Sequence, residues 1–115
     1  MRRGEIRLVD LEPVRGSEAD KRRPAVVVSN DAANLVAARL GRGTITVVPV
    51  TSNVERIYPF QVGLPAADTG LGRDSKAQAE QVRTVAVERV GKRCGLLPPA
   101  LSEALDDALR IHLAL

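Results

Sequence analysis

Three residues whose chemistry suits a phosphodiester stand at the ends of predicted β-strands in this sequence. Arg23 immediately precedes the hydrophobic run PAVVV, Thr51 follows the run TITVVPV, and Glu80 lies just before QVRT. A guanidinium group presents a planar fork of donors that matches phosphate oxygens. A hydroxyl can position one of those oxygens, and a carboxylate can take a proton from a ribose 2′-hydroxyl. If the strand ends meet on one rim of a small barrel, these three side chains could form a site for such chemistry.

The same three residues have a plainer interpretation. Arg23 could be an ordinary surface charge, Thr51 a turn residue and Glu80 a solvated residue of a strand. The surroundings that activate a polar side chain are not visible in a sequence. Taken alone, the residues therefore favour the plainer interpretation.

Metal sites and hydroxyl–His–carboxylate triads are not expected. His112 and Cys94 are the only residues of their kinds, and no pair of carboxylates has ligand spacing. We therefore predict neither a metal nor a cofactor. His112 lies on the apolar stripe of a predicted helix, which favours a packed histidine in the core or at an interface. Cys94 follows Lys92 and Arg93, which could lower its pKa, although a structural thiol is favoured.

Length and composition indicate one globular domain, residues 1–115. Hydrophobic residues make up 44% of the chain, and the net charge of +3 mildly favours a polyanionic partner. A single cysteine cannot form an internal disulfide, which fits a reducing compartment and predicts a cytoplasmic protein. The charged start MRRGEIRLVDL does not resemble a signal peptide, and no apolar run approaches membrane-spanning length.

Hydrophobic patterning predicts a mainly β protein with a C-terminal helix. Strands are expected at 4–11, 24–29, 44–50, 58–64, 75–81, 83–87 and 93–97. Helices are expected at 31–40 and from Pro98 or Pro99 to the end, with 41–43 as a turn and 66–74 as a connector. Many short strands and a closing helix favour a small, strongly bent sheet or barrel. The only aromatic residues of the Phe, Tyr and Trp types, Tyr58 and Phe60, are expected in its core.

Five sequence blocks resemble the MazF/PemK toxins of bacterial toxin–antitoxin pairs. These blocks are RRGEIRLVDLEPVRGSE, RRPAVVVSND, VVPVTSN, YPFQV and AEQVRTVA, and an amphipathic helix follows them. Any one block is a weak signal, but five in this order cover nearly the whole chain.

The resemblance implies an SH3-like small barrel of the MazF/PemK/CcdB type that forms a homodimer. It also implies a metal-independent endoribonuclease that cuts single-stranded RNA at short sequences, leaving a 2′,3′-cyclic phosphate and a 5′-hydroxyl. A MazE-like antitoxin with an extended acidic segment would inhibit it. The cleavage sequence would depend on variable loops such as residues 53–58 and 66–73.

The resemblance also assigns roles to residues. It implies that Arg23, Thr51 and Glu80 are catalytic. The predicted substrate-binding residues lie in or beside the same blocks, and they are Ser17, Glu18, Ser52, Asn53, Gln78 and Gln81. Two positions depart from the pattern: some relatives have a histidine where Ser17 stands, and some an arginine where Gln78 stands. The general acid is therefore not assigned.

Two other functions remain open from the sequence. A CcdB-like toxin on the same barrel would bind a protein such as DNA gyrase without cutting RNA, but such toxins end in a tail with tryptophan, and this chain contains none. A plain nucleic-acid-binding barrel would stack bases on several aromatic residues. Two aromatic residues fit that reading poorly, although Tyr58 or Phe60 could still meet one base.

Overall fold

The described residues, 1–11 and 22–115 of a computed structural model, form a seven-stranded antiparallel sheet with three α-helices. In chain order the elements are β1 (Glu5–Asp10), β2 (Arg22–Val27), α1 (Asp31–Leu40), β3 (Thr44–Thr51), β4 (Gln61–Leu64), α2 (Ala66–Thr69), β5 (Ser75–Gln78), β6 (Arg83–Ala86), β7 (Val90–Leu96) and α3 (Pro99–Leu113). Single 3₁₀ turns, Ala79–Gln81 and Val87–Arg89, follow β5 and β6. None of the described helices is both long and apolar enough to cross a membrane.

The sheet bends because β3 exchanges partners along its length. The order of strands is β4-β5-β3-β2-β1-β7, and β6 also pairs with β3. Thr44 to Val47 pair with β6, whereas Val50 and Thr51 pair with β5. Pro49 falls between these two stretches, where its missing N–H interrupts no ladder with β5 or β6. The predicted mainly β fold, a small barrel closed by a C-terminal helix, is confirmed.

Hydrophobic side chains are buried on both faces of β2 and β3, which explains their unbroken valine-rich sequences. Val26 and Val48 belong to a core cluster that includes Leu105 of α3. Val27 and Val47 belong to a second cluster, which packs against α1. β2 and β3 are therefore packed between two hydrophobic clusters, which fixes their position.

α1 and α3 begin at the residues that the predicted cap and the predicted proline start indicated. The Asn30 side chain accepts a hydrogen bond from the backbone N–H of Ala33 at 2.8 Å, and Gly41 ends α1 in the left-handed conformation. Pro99 is the first residue of α3. The boundaries predicted for α1, 31–40, match the structure.

The aromatic residues are not in the core, contrary to the prediction. Tyr58 is 41% exposed, and Phe60 is only half-buried and belongs to neither core cluster. The strand predicted from residue 58 begins at Gln61 instead. Tyr58 to Gln61 form a turn in which the Gln61 N–H bonds the Tyr58 carbonyl at 2.8 Å. Pro59 occupies the second position of this turn, which its fixed φ favours.

Three smaller predictions also need correction. The connector 66–74 contains α2, and the strand predicted through residue 81 ends at Gln78, before the 3₁₀ turn that begins at Ala79. His112 is exposed, so it is not a core histidine of this chain. Apolar spacing placed it correctly on α3, but every residue from Arg110 to Leu115 is exposed.

Candidate active site

Arg23 and Thr51 lie at the same level of two adjacent strands. Ala25 of β2 pairs with Pro49 of β3. Arg23 is two residues before Ala25, and Thr51 is two residues after Pro49. Since the strands are antiparallel and side chains alternate between faces, Arg23 and Thr51 lie opposite each other on one side of the sheet. Both line one open pocket of about 580 Å³.

The lining of this pocket is cationic. Three arginines contribute to it, Arg22, Arg23 and Arg73, and no carboxylate does so within the described part of the chain. Ser52 and Ser75 add hydroxyl groups, and the remaining lining comes from Pro24, Val50, Thr51, Leu71 and Gly72. Guanidinium groups and hydroxyls around an open pocket have the chemistry to bind a phosphate-bearing ligand.

Arg23 is anchored through its backbone while its side chain is exposed. It pairs with buried Val9 of β1, and the three residues from Ala25 to Val27 that follow it in β2 are fully buried. Within residues 1–11 and 22–115, its guanidinium has no hydrogen-bond or ion-pair partner. The strand thus fixes the base of the side chain and leaves its donors available to a ligand.

The residues after Thr51 turn sharply away from β3. The Thr51 Oγ1 accepts a hydrogen bond from the Asn53 N–H at 3.2 Å, and Asn53 Oδ1 accepts one from the Glu55 N–H at 3.3 Å. These local bonds orient the Thr51 hydroxyl and place Ser52 in the pocket. Asn53 instead lines a neighbouring pocket with Lys76 and Tyr58.

Glu80 lies apart from the Arg23 pocket. Its Oε2 accepts a hydrogen bond from the Gln61 Nε2 at 2.6 Å. Its Oε1 is buried and has no hydrogen-bond partner in the described part of the chain. In this structure, the carboxylate therefore binds the start of β4 rather than lining the pocket that contains Thr51.

The other predicted substrate-binding residues are distributed differently. Gln78 faces Gln61 across the β4–β5 pair, and Gln81 is exposed on the 3₁₀ turn. Neither lines the Arg23 pocket. Ser17 and Glu18 lie outside the described residues.

Sequence reasoning missed Arg22 and Arg73 as members of the site. Arg22 could have been noticed because it is adjacent to Arg23, and Arg73 because it ends the variable segment 66–73. Arg73 belongs to the segment that follows α2, and α2 packs closely against β7. A Cβ on Gly95 of β7 would lie 2.7 Å from the carbonyl oxygen of Thr69 in α2. Glycine at this position lets α2 approach the sheet and sets the course of the segment that follows.

Cys94 is a structural thiol. Burial raises its pKa, against the smaller opposing effects of its backbone hydrogen bond and of Lys92. Lys92 does lower this pKa, but burial outweighs it, so the net lowering suggested by the sequence is wrong. Among residues 1–11 and 22–115, no three His, Cys, Asp or Glu side chains group as metal ligands.

The fold is a bent antiparallel barrel with a C-terminal helix, and a cationic, hydroxyl-lined pocket lies at the ends of β2 and β3. The family model of PemK-like, MazF-like toxins of type II toxin–antitoxin systems matches residues 2–113. The chain belongs to this family, as the sequence blocks predicted. The match spans nearly all of the predicted domain, 1–115.

Relatives agree with this assignment. Endoribonuclease MazF9 of Mycobacterium tuberculosis is 62% identical over 115 residues, covering 100% of this chain and 98% of that protein. Endoribonuclease EndoA of Bacillus subtilis is 33% identical over 116 residues, covering 100% and 96%. The crystal structure of MazE–MazF from Deinococcus radiodurans superposes with a TM-score of 0.75 at 27% identity, covering 100% and 97%.

Proposed function

We propose that this toxin is an endoribonuclease that cuts single-stranded RNA at short sequences in the cytoplasm. Arg23 and Thr51 carry the reaction, and no metal takes part. The observation that supports this proposal is their position opposite each other on β2 and β3, in a pocket lined by three arginines. The names of the two endoribonuclease relatives favour the same activity.

The proposed reaction is an internal transesterification. The ribose 2′-oxygen attacks the adjacent phosphorus and loses its proton, the bond from phosphorus to the 5′-oxygen breaks, and the leaving 5′-oxygen gains a proton. The products are a 2′,3′-cyclic phosphate and a 5′-hydroxyl. Arg23 would bind the phosphate oxygens as negative charge develops on them, and Thr51 would position one of these oxygens. Arg22 and Arg73 would hold the flanking backbone.

Two proton transfers accompany this reaction, one from the 2′-oxygen and one to the 5′-oxygen. The resemblance implies that Glu80 is the base, and this role stays a prediction, because the Glu80 carboxylate is bonded to Gln61 and does not line the pocket. Arginine is a poor proton donor because its pKa is so high, so water or Thr51 would deliver the proton to the leaving oxygen. Variants of Glu80 separate a role as the base from a role in bonding Gln61.

Substrate binding is proposed to extend beyond the scissile phosphate. Ser52 lines the pocket, and Asn53 follows it into the neighbouring one. Gln78 and Gln81 would meet the RNA further along β5 and the 3₁₀ turn. Ser17 and Glu18, outside the described residues, are proposed to contact both RNA and antitoxin.

We also propose a homodimer inhibited by an antitoxin with an acidic extended segment. The cationic pocket is a suitable target for acidic side chains, and the Deinococcus radiodurans protein was crystallised as MazE–MazF. Exposed apolar residues at the end of α3, Ile111, Leu113 and Leu115, favour the terminal helix as part of the dimer face. Excess antitoxin should abolish cleavage, and equal cleavage in its presence would contradict this proposal.

The first test is cleavage of mixed single-stranded RNA in EDTA, with the ends mapped and Arg23→Ala in parallel. Discrete cuts that resist EDTA, leave 5′-hydroxyl ends and are lost in the variant are expected. A folded protein that cuts no RNA in this mixture would contradict the proposal and favour the CcdB-like alternative, a toxin that binds a protein target.

A further inference from the structure

The loop between β3 and β4, residues 52–60, displays an ordered cluster of flat side chains. The rings of Tyr58 and Phe60 are nearly parallel, with centroids 5.3 Å apart and an interplanar angle of 6°. The Arg56 guanidinium carbon lies 5.5 Å from the Tyr58 ring centroid, and its Nη1 donates to the Tyr58 hydroxyl at 3.2 Å. This cluster contains the only tyrosine and the only phenylalanine of a chain without tryptophan, and both rings lie outside the two core clusters.

Two side chains, Lys76 of β5 and Gln61 of β4, hold this loop in place. Lys76 is only 7% exposed, and its Nζ donates to the Arg56 carbonyl oxygen at 2.6 Å. Gln61 accepts a hydrogen bond from the Tyr58 N–H through its Oε1, at 3.1 Å, and its own N–H bonds the Tyr58 carbonyl. Glu80 in turn accepts the Gln61 side-chain N–H at 2.6 Å. The backbone of Tyr58 is thus fixed at both its polar groups.

The cluster adjoins the Arg23 pocket. Arg56, Tyr58 and Lys76 line a second pocket of about 500 Å³ with Asn53 and Glu55. Lys76 is the register partner of Thr51, which lines the first pocket. The two pockets therefore meet at one pair of residues on β3 and β5. A single strand with its phosphate beside Thr51 would carry a neighbouring base towards Tyr58.

From these contacts we infer that Arg56, Tyr58 and Phe60 form a platform that stacks one base of the RNA next to the scissile phosphate, and that Lys76 and Glu80 are positioning residues for it. The inference rests on the proposed function. The exposed Tyr58 ring, parallel to half-buried Phe60, suits stacking, since every base has a π-face, and an arginine guanidinium adds both a stacking plane and a positive charge. Fixing the loop beforehand removes the ordering cost that a mobile loop would incur on binding.

The direct test uses proton NMR, because the ring signals of Tyr58 and Phe60 are unique in this chain. The wild-type protein is titrated with mixed-sequence single-stranded RNA whose 2′-hydroxyls are all methylated, so that the proposed attack cannot occur. The parallel titration uses an abasic sugar–phosphate oligomer of the same length. Upfield shifts of the Tyr58 ring signals with the base-containing oligomer alone are expected.

Kinetics on the mapped cleavage site provide the second readout. Tyr58→Ala should raise KM by about tenfold to a hundredfold, the loss of one stacked base, and should change kcat little. Tyr58→Phe should retain the wild-type KM. Leu35→Ala is the matched control, because Leu35 is an exposed apolar side chain of α1 that lines neither pocket. It should leave KM unchanged.

The outcomes separate this inference from the proposed function. If the wild-type protein cuts RNA but the Tyr58 signals do not move at saturation, or move equally with the abasic oligomer, the stacking role of the platform is contradicted. The proposed nuclease activity is not affected by that result. If no RNA is cut, the nuclease is wrong, and the titration with methylated RNA still decides whether bases stack there. Shifts caused only by an acidic peptide would overturn the inference and assign the surface to a protein partner.

Discussion

Arg23 and Thr51 lie opposite each other across two adjacent antiparallel strands, each two residues beyond the buried pair Ala25–Pro49. The residues that place them are the valines of β2 and β3, which are buried on both faces of the sheet. The hydrophobic run after Arg23 thus has two roles. It builds the centre of the core, and it presents a guanidinium at a fixed position on the rim.

Replacing Arg23 tests the charge-stabilising role. Arg23→Ala should lower the cleavage rate by about 10²–10³, the cost of removing one preorganised donor to a developing oxyanion. Arg23→Lys should recover only part of the rate, because an ammonium lacks the planar fork. Single-turnover cleavage in EDTA measures both. Thermal unfolding should be nearly unchanged, since the Arg23 side chain is exposed, and full activity in a folded Arg23→Ala variant would rule out the assignment.

Thr51 is tested by a pair of conservative changes. Thr51→Val keeps the shape of the side chain but removes the oxygen that accepts the Asn53 N–H. It should reduce cleavage by more than tenfold, of the order expected for losing one positioned polar group. Thr51→Ser keeps the oxygen and should stay within a few-fold of wild type. Equal activity of the valine and serine variants would show that the hydroxyl has no part in the reaction.

Glu80 is tested by variants that separate a base from a positioning residue. Glu80→Gln keeps an oxygen that can accept the Gln61 N–H but cannot take a proton at neutral pH. If Glu80 positions the Tyr58 loop, as inferred above, Glu80→Gln should be close to wild type, and Glu80→Ala should raise KM and broaden the Tyr58 ring signals. If Glu80 is the base, both variants should lose kcat alike.

Gly95 is predicted to be essential for the shape of the pocket. Gly95→Ala would place a Cβ 2.7 Å from the Thr69 carbonyl oxygen and 3.2 Å from the Ile6 Cδ1. Because a backbone atom cannot move aside cheaply, this should lower the free energy of unfolding by about 1–3 kcal/mol. Gly72→Ala is the control for stability, since an added Cβ there has no neighbour within 4 Å. Denaturant unfolding that is identical for the two variants would contradict this account.

Acid should destabilise the fold partly through Glu5. Burial raises the pKa of this carboxyl, but Arg7, 2.9 Å away, together with the charge of the N-terminus and a backbone hydrogen bond from Arg2, outweighs burial and holds the pKa below its ordinary value. A depressed pKa stabilises the folded state above the ordinary value, and this stabilisation is lost as pH falls through the folded pKa. Wild type should therefore lose stability over this interval more steeply than Glu5→Gln. Parallel curves from urea unfolding at several pH values would contradict this expectation.

The sequence predicted the helices and strands more accurately than the contacts between them. Caps and glycines marked α1 to the residue, because capping is a local interaction between Asn30 and Ala33. The valine-rich runs also predicted β2 and β3, because strand preference is likewise local in the sequence. Tyr58 and Phe60 were misplaced because hydrophobicity alone sends aromatic rings to the core. The local signal that placed them outside was Pro59, whose turn brings the chain back into β4.

For the site, the sequence alone determined which side chains are available and, through the resemblance, that Arg23 and Thr51 belong together. Tertiary structure decided the rest. Arg73 lines the pocket from the segment after α2, which Gly95 allows to approach β7 closely, and Glu80 bonds Gln61, which is distant in sequence and adjacent across β4 and the 3₁₀ turn. Such contacts depend on register and on close packing between distant segments. Residue type and spacing encode these only weakly, since burial and hydrogen-bond partners arise when the whole sheet closes.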